Sequence, residues 1–310
     1  MSRIITVAAA QLGPVSREEP RSSSVQRMIK LMREAKKNNA NFVVFPELAL
    51  TTFFPRWYFE KQSEIDKFFE IEMPNESTRP MFEESSKLKI GFYLGFAELH
   101  VEDRITHHYN TAILVDDTGK IVGKYRKIHL PGHKEYESWR PFQHLEKRYF
   151  ETGNLGFPVH QAFGGKIGMC ICNDRRWPET FRVMGLKGAE LIALGYNTPV
   201  HYPLAPEHDH LQDFHNHLVL QAAAYQNGTW IIAVAKAGKE EKCDLIGGTC
   251  IIAPTGEIIA KCNTLGDEMI FAECDLDRCK EIKENIFNFS LHREPENYTI
   301  ISSPKKDATK

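Results

Sequence analysis

The chain has 310 residues, 42% of them hydrophobic, seven cysteines and a formal charge of −2. That is apolar material for one large core or two fused halves, and a charge too small for general attraction to nucleic acid or an anionic membrane. No stretch approaches the ~18 to 20 apolar residues of a membrane helix, and Met1-Ser2-Arg3 leads directly into a strand-like run, so a cytoplasmic location is expected.

Ile4 to Leu12 reads as a strand and Glu18 to Asn38 as an amphipathic helix with Val25, Met28, Ile29, Leu31 and Met32 inward. Phe42-Val43-Val44-Phe45 then reads as a parallel strand covered on both faces, and Pro46 stops its ladder just before Glu47. After an irregular aromatic section, Phe53 to Phe69, a helix is expected from Thr78 to Lys87, capped by Ser77 or Thr78. Ile90 to Glu98 is a strand, and Tyr109 to Val115 with Ile121 to Tyr125 a hairpin around Asp117-Thr118-Gly119. Arg126 to Asn154 has little periodicity, and an irregular connection of that length is usually functional.

Val159 to Phe163 precedes Lys166 to Cys172, where Ile167, Met169 and Ile171 alternate with Gly168, Cys170 and Cys172. This is a strand ending at a cysteine, and Pro178 suits the first turn of a helix to Lys187. Such an elbow exposes a side chain and leaves backbone N–H groups for an oxyanion. Glu190 to Gly195 is a strand, Glu207 to Gln226 a histidine-rich helix, and Thr229 to Ala235, Gly248 to Ala253, Glu257 to Lys261 and Met269 to Cys274 are strands. Asp275 to Glu284 is a short helix. The alternation of strand and helix predicts an α/β fold with one domain over 1–284. Residues 285–310 read as an arm packing on a partner, because Ile286, Phe287, Phe289, Leu291, Tyr298, Ile300 and Ile301 are too apolar for a solvated tail. The cysteines, Cys170, Cys172, Cys243, Cys250, Cys262, Cys274 and Cys279, are odd in number and form no CxxC pair, which suits reduced thiols.

Three polar groups thus stand at strand ends: Glu47, Lys127 and Cys172. Singly they read as a surface carboxylate, a solvated lysine and a core thiol. Together they form a chemical set, because a thiol of unperturbed pKa ~8.5 needs a base for its proton and a cation for its thiolate.

Phe45-Pro46-Glu47-Leu48, Tyr125-Arg126-Lys127-Ile128-His129-Leu130 and Ile171-Cys172-Asn173-Asp174 with Trp177-Pro178-Glu179 resemble the three blocks of the nitrilase superfamily, in its order. The resemblance spans Ile4 to Cys274. It implies a four-layer α-β-β-α sandwich, a Glu-Lys-Cys triad acting on non-peptide C–N bonds, assembly as a homodimer or homotetramer, and no metal or organic cofactor. Cys172 to Glu179 is most similar to the N-carbamoyl-D-amino acid amidohydrolases, which release amino acid, ammonia and carbon dioxide. Their carboxylate-bearing substrate needs a cation, and a guanidinium holds a carboxylate bidentately, so Arg175 or Arg176 is expected to face it. The alternative is a structural pairing with Glu179 or Asp174. The resemblance further implies Asn173 and Asn197 as partners of the carboxylate or ureido group, His144 as a lining residue, and Glu146 as a second carboxylate near the lysine. Extended geometry places His129 on the face of Lys127, a candidate pocket wall.

Two rival readings come from other classes. His201, His208, His210, His215 and His217 crowd one segment beside Glu207, Asp209 and Asp213, as a zinc-dependent hydrolase would require. The apolar Leu211, Phe214, Leu218 and Val219 fall at core spacing there instead, with His215 left to reach the pocket. The other rival is a catalytically dead scaffold, against which all three triad residues stand.

Overall fold

The computed structural model describes residues 2–303. Five strands and three helices make the first half: β1 (Ile4–Gln11), α1 (Arg21–Lys37), β2 (Phe42–Val44), α2 (Gln62–Ile65), α3 (Arg79–Leu88), β3 (Gly91–Glu102), β4 (Ile105–Val115) and β5 (Ile121–Arg126). After the one-turn α4 (Glu146–Tyr149), the second half runs β6 (Val159–Ala162), β7 (Gly165–Ile171), α5 (Pro178–Leu186), β8 (Leu191–Tyr196), α6 (Gln212–Asn227) and β9 (Trp230–Ala235). It closes with β10 (Ala237–Glu240), β11 (Cys243–Ile246), β12 (Cys250–Ile252), β13 (Ile258–Lys261), β14 (Glu268–Asp275), α7 (Asp277–Glu281), α8 (Phe289–His292) and α9 (Thr299–Ser302).

Two six-stranded sheets form, ordered β14-β1-β2-β3-β4-β5 and β13-β12-β9-β8-β7-β6. Each has three parallel strands at its centre, β1-β2-β3 and β7-β8-β9, and antiparallel strands outside. The period-2 alternation of side chains decides the layers. Val7, Ala9, Phe42, Val44, Tyr93 and Leu114 face the second sheet, while Ala8, Ala10, Val43, Phe45, Phe92 and Ile113 pack under α1 and α3. Helices α5 and α6 cover the outer face of the second sheet. The result is the expected α-β-β-α sandwich.

Three details differ from the sequence reading. Thr78 occupies the N-cap of α3, but its hydroxyl accepts from Asn75 N–H at 2.9 Å instead of capping the helix. The histidine-rich segment starts as a 3-10 turn over Pro206–Leu211 before α6. On α6, Phe214 and Leu218 point outward, 58% and 49% exposed, and the buried stripe is Asn216, Leu220, Ala223 and Ala224. Small side chains let the helix lie close to its sheet, so the large ones face away. Residues 304–310 of the expected arm lie outside the described residues; the rest of it sets Phe287 on Tyr225 and Phe289 under the Arg182 guanidinium.

Candidate active site

Glu47 follows β2 at the boundary between the sheets, and two glycines make room for it. A Cβ on Gly95 of β3 would lie 2.7 Å from Glu47 Cα, and one on Gly195 of β8 only 2.3 Å from Glu47 N. The carboxylate is fully buried and well supplied with donors. Oε1 accepts from Lys127 Nζ at 2.7 Å and Asn110 Nδ2 at 2.8 Å; Oε2 accepts from Asn197 N–H at 2.9 Å and Asn197 Nδ2 at 3.2 Å.

Lys127 leaves β5 with its N–H donating to Asn110 O at 2.8 Å. Its ammonium also donates to Glu146 Oε2 at 2.6 Å, so one buried cation stands between two buried carboxylates. Burial acts to lower a lysine pKa, but attraction from Glu146 and then Glu47 outweighs it and holds Lys127 above its ordinary range. For Glu146, burial acts upward, and Lys127 with the His144 contact at 3.2 Å brings it below the usual carboxylate value.

Cys172 directly follows β7 at φ +47°, a left-handed conformation rare for a side chain with a Cβ. Such strain is held where the surroundings over-determine it, which is common at functional sites. A 3-10 turn, Cys172–Arg176, follows before Pro178 opens α5. The elbow is braced by Asp174, which accepts from Ile171 N–H at 3.0 Å, Tyr125 Oη–H at 2.7 Å and His129 N–H at 3.0 Å, tying the lysine strand to the nucleophile. The thiol is 4% exposed and donates to Asn197 O at 3.5 Å. Burial, then the Glu47 charge, pushes its pKa up against Lys127 and Arg175, so it rests as a neutral thiol.

A cavity of about 490 Å³ opens onto Cys172. Asn173, Arg176, Asn197 and Thr198 line it, with Arg140, Phe142, His144 and Lys147 and with His201, Tyr202, Leu204, His208 and His215. None of its described lining residues is a carboxylate. Arg176 is reached by water from the cavity yet closely surrounded by protein; burial and repulsion from Arg175 push its guanidinium down to about 10. Its side-chain contact is Asn173 Oδ1 at 3.4 Å.

Residues 6–284 match the sequence profile of the carbon-nitrogen hydrolases. The chain belongs to the carbon-nitrogen hydrolase family. This is the nitrilase superfamily that its motifs resemble, and the protein is an enzyme of that C–N hydrolase type. Among its relatives, the N-carbamoylputrescine amidase of Arabidopsis thaliana is 30% identical over 90% of this chain and 90% of its own length. The citrullinase of Francisella tularensis is 28% identical over 96% and 98%. The carbon-nitrogen hydrolase of Helicobacter pylori shares the fold at a TM-score of 0.83, with 23% identity, 98% of this chain and 100% of that one covered.

The hydrolase fold gathers Glu47, Lys127, Glu146 and Cys172 into one buried group, and brings Asn173, Arg176, Asn197 and His144 to its cavity. Two expected site residues do not line the cavity. Arg175, one of the arginine pair of which at least one is expected to face the carboxylate, turns its guanidinium to protein: Cys172 O at 2.8 Å and Cys172 Sγ at 3.7 Å, Asn216 Oδ1 at 2.9 Å, Thr198 Oγ1 at 2.8 Å and the Tyr196 ring. His129, expected as a wall, stacks on Trp177 with ring centroids 4.7 Å apart, its Nδ1 2.8 Å from Asp174 Oδ1. The histidine-rich segment brings His201, His208 and His215 to the cavity without grouping them as metal ligands among the described residues. His201 pairs with Asp209, His217 contacts the carbonyls of Asp213 and Gly248, and among the described residues no three His, Cys, Asp or Glu side chains converge as metal ligands. Asn110 and the glycine pair Gly95 and Gly195 escaped the sequence reading, since nothing local marks a lone asparagine or glycine in a strand.

Proposed function

We propose that this carbon-nitrogen hydrolase hydrolyses N-carbamoyl amino acids, of the D series on the resemblance of Cys172 to Glu179, to amino acid, ammonia and carbon dioxide. The observation that supports this reading is the charge of the cavity: Arg140, Lys147 and Arg176 line it and no described carboxylate does. Arg140 is answered by Glu137 at 2.6 Å; of the two remaining cations, Lys147 and Arg176, Arg176 is the one close in sequence to the nucleophile, and we take it as the cation for an α-carboxylate. A cationic substrate such as N-carbamoylputrescine would meet repulsion there. Citrulline also carries a ureido group and a carboxylate, so a ureido acid of that kind is the second reading the cavity favours.

In the proposed reaction Glu47 takes the thiol proton and the Cys172 thiolate attacks the carbamoyl carbon. Lys127 and the Asn173 N–H stabilise the oxyanion. Collapse expels the amine, which takes the proton from Glu47. Water, deprotonated by the same carboxylate, then cleaves the thioester-like intermediate. We also propose a homodimer or homotetramer in the cytoplasm. The outward Phe214, Leu218 and Tyr225 of α6 lie on the helix that the arm packs against, whose Leu291, Ile300 and Ile301 are themselves exposed, and all seven cysteines are free and buried.

The test is ammonia release by purified protein from N-carbamoyl-D- and L-amino acids, N-carbamoylputrescine, an aliphatic amide and an aliphatic nitrile. The carboxylate-bearing carbamoyl substrate should give the highest kcat/KM. Preference for N-carbamoylputrescine or the nitrile would reject the reading.

A further inference from the structure

We propose that Asn110 is a positioning residue of the reaction, holding Glu47 and Lys127 in register and directing the thiol proton to Oε2 of Glu47. Asn110 sits in β4, fully buried, and touches both groups: its carbonyl accepts the Lys127 N–H at 2.8 Å and its Nδ2 donates to Glu47 Oε1 at 2.8 Å. Lys127 Nζ donates to the same oxygen at 2.7 Å. A carboxylate oxygen offers about two lone-pair sites, so Oε1 is full. Oε2 holds the Asn197 N–H at 2.9 Å and, more weakly, Asn197 Nδ2 at 3.2 Å. That Nδ2 has a shorter bond, 2.8 Å, to Glu47 O, so it can release Oε2 and stay bonded. The oxygen with a dispensable donor is the one that can take a proton.

The other half of the Asn110 amide sharpens the point. Its Oδ1 is buried and has no hydrogen-bond partner among the described residues. An unmade bond of that kind is destabilising. The Oδ1 half of the amide therefore gives no reason for an asparagine here, and the Nδ2 donor on Glu47 does. The other ionisable groups around this carboxyl are Glu146 on α4, Cys172 at the elbow, Tyr93 on β3 and Lys236 beyond β9, and none of them hydrogen-bonds to Oε1.

The inference rests on Glu47 as the base and not on the carbamoyl-acid reading, so the assay uses whichever amide the wild-type enzyme hydrolyses best. Three variants are compared for kcat, KM, pH profile and thermal stability. Asn110→Ala should lower kcat about ten- to a hundredfold, the loss of one hydrogen bond to a charged group, with KM little changed. The acid limb of kcat/KM should move to higher pH, because the carboxylate has lost a donor. Asn110→Asp keeps the shape but sets a second carboxyl against Oε1; it should move that limb further, two carboxyls sharing one proton. Asn110→Ser retains a hydroxyl donor and should recover part of the loss. Folded variants whose pH profiles superimpose on wild type, or a loss expressed only in KM, would overturn the proposal. So would failure of all three to fold, which would assign Asn110 to the fold alone.

Discussion

Removing the Arg176 guanidinium separates a carboxylate-reading hydrolase from a plain amidase. In the free enzyme Arg176 faces the cavity with Asn173 Oδ1 at 3.4 Å as its polar contact and a second guanidinium, Arg175, beside it. A substrate carboxylate would relieve both the repulsion and the missing partner. Truncating one side of a desolvated charge pair costs roughly 2 to 5 kcal/mol. The cavity admits water, and solvent screening places Arg176 toward the low end, about 2 to 3 kcal/mol, or about 30- to 150-fold in kcat/KM. Arg176→Ala is therefore assayed on an N-carbamoyl-D-amino acid and on a carbamoyl amine lacking the carboxylate. The first should lose that factor and the second much less. Arg176→Lys should restore little, since an ammonium keeps the charge but not the planar fork. Equal losses on the two substrates, or none on the carboxylated one, would refute the reasoning. Arg175→Ala should behave differently, lowering Tm and activity on every substrate, because its bonds brace Cys172 O, Asn216 and Thr198.

Gly195→Ala should abolish most activity and lower Tm, because its Cβ would stand 2.3 Å from Glu47 N and 2.4 Å from Pro46 C, backbone that cannot swing aside; near-wild-type kcat would contradict this. Glu98 supplies a pH dependence of stability. Burial acts to raise it, but the Arg126 and Lys124 bonds outweigh that and hold it at about 2 instead of 4.5. A depressed folded pKa contributes stability above the unfolded value, and loses it as pH falls from about 4.5 toward 2, worth about 3 kcal/mol. Glu98→Gln should flatten acid denaturation in that window, and an unchanged acid profile would refute the assignment. Deleting 285–310 should lower the assembly state in sedimentation; a wild-type monomer at micromolar concentration would end the oligomer proposal.

What was legible in the sequence had a local signature. Four apolar residues and a proline marked β2, the alternation before Cys172 marked β7, and three motif blocks in order marked the triad. What escaped depends on contacts across the chain. The inward face of α6 is built of Asn216, Leu220, Ala223 and Ala224, and neither an asparagine nor an alanine signals a core position as strongly as the outward Phe214 and Leu218 do. The two arginines are adjacent and chemically alike; only the closing of Thr198 and Asn216 around one of them separates their roles. Likewise the buried set of Arg56, Lys236 and Glu240, in which Glu240 Oε1 accepts Phe53 N–H at 2.6 Å and anchors the segment after Glu47, joins residues far apart in sequence. No spacing rule could find it.

The central claim is covalent catalysis at Cys172 on a carboxylate-bearing carbamoyl substrate, and quenched-flow mass spectrometry tests it most directly. Wild-type protein is mixed with an N-carbamoyl-D-amino acid, quenched in acid during turnover, digested and mapped. The account predicts an acyl adduct on the peptide containing Cys172, at that sulfur, and none in folded Cys172→Ala. An adduct on Cys170, or steady turnover by Cys172→Ala, would contradict it.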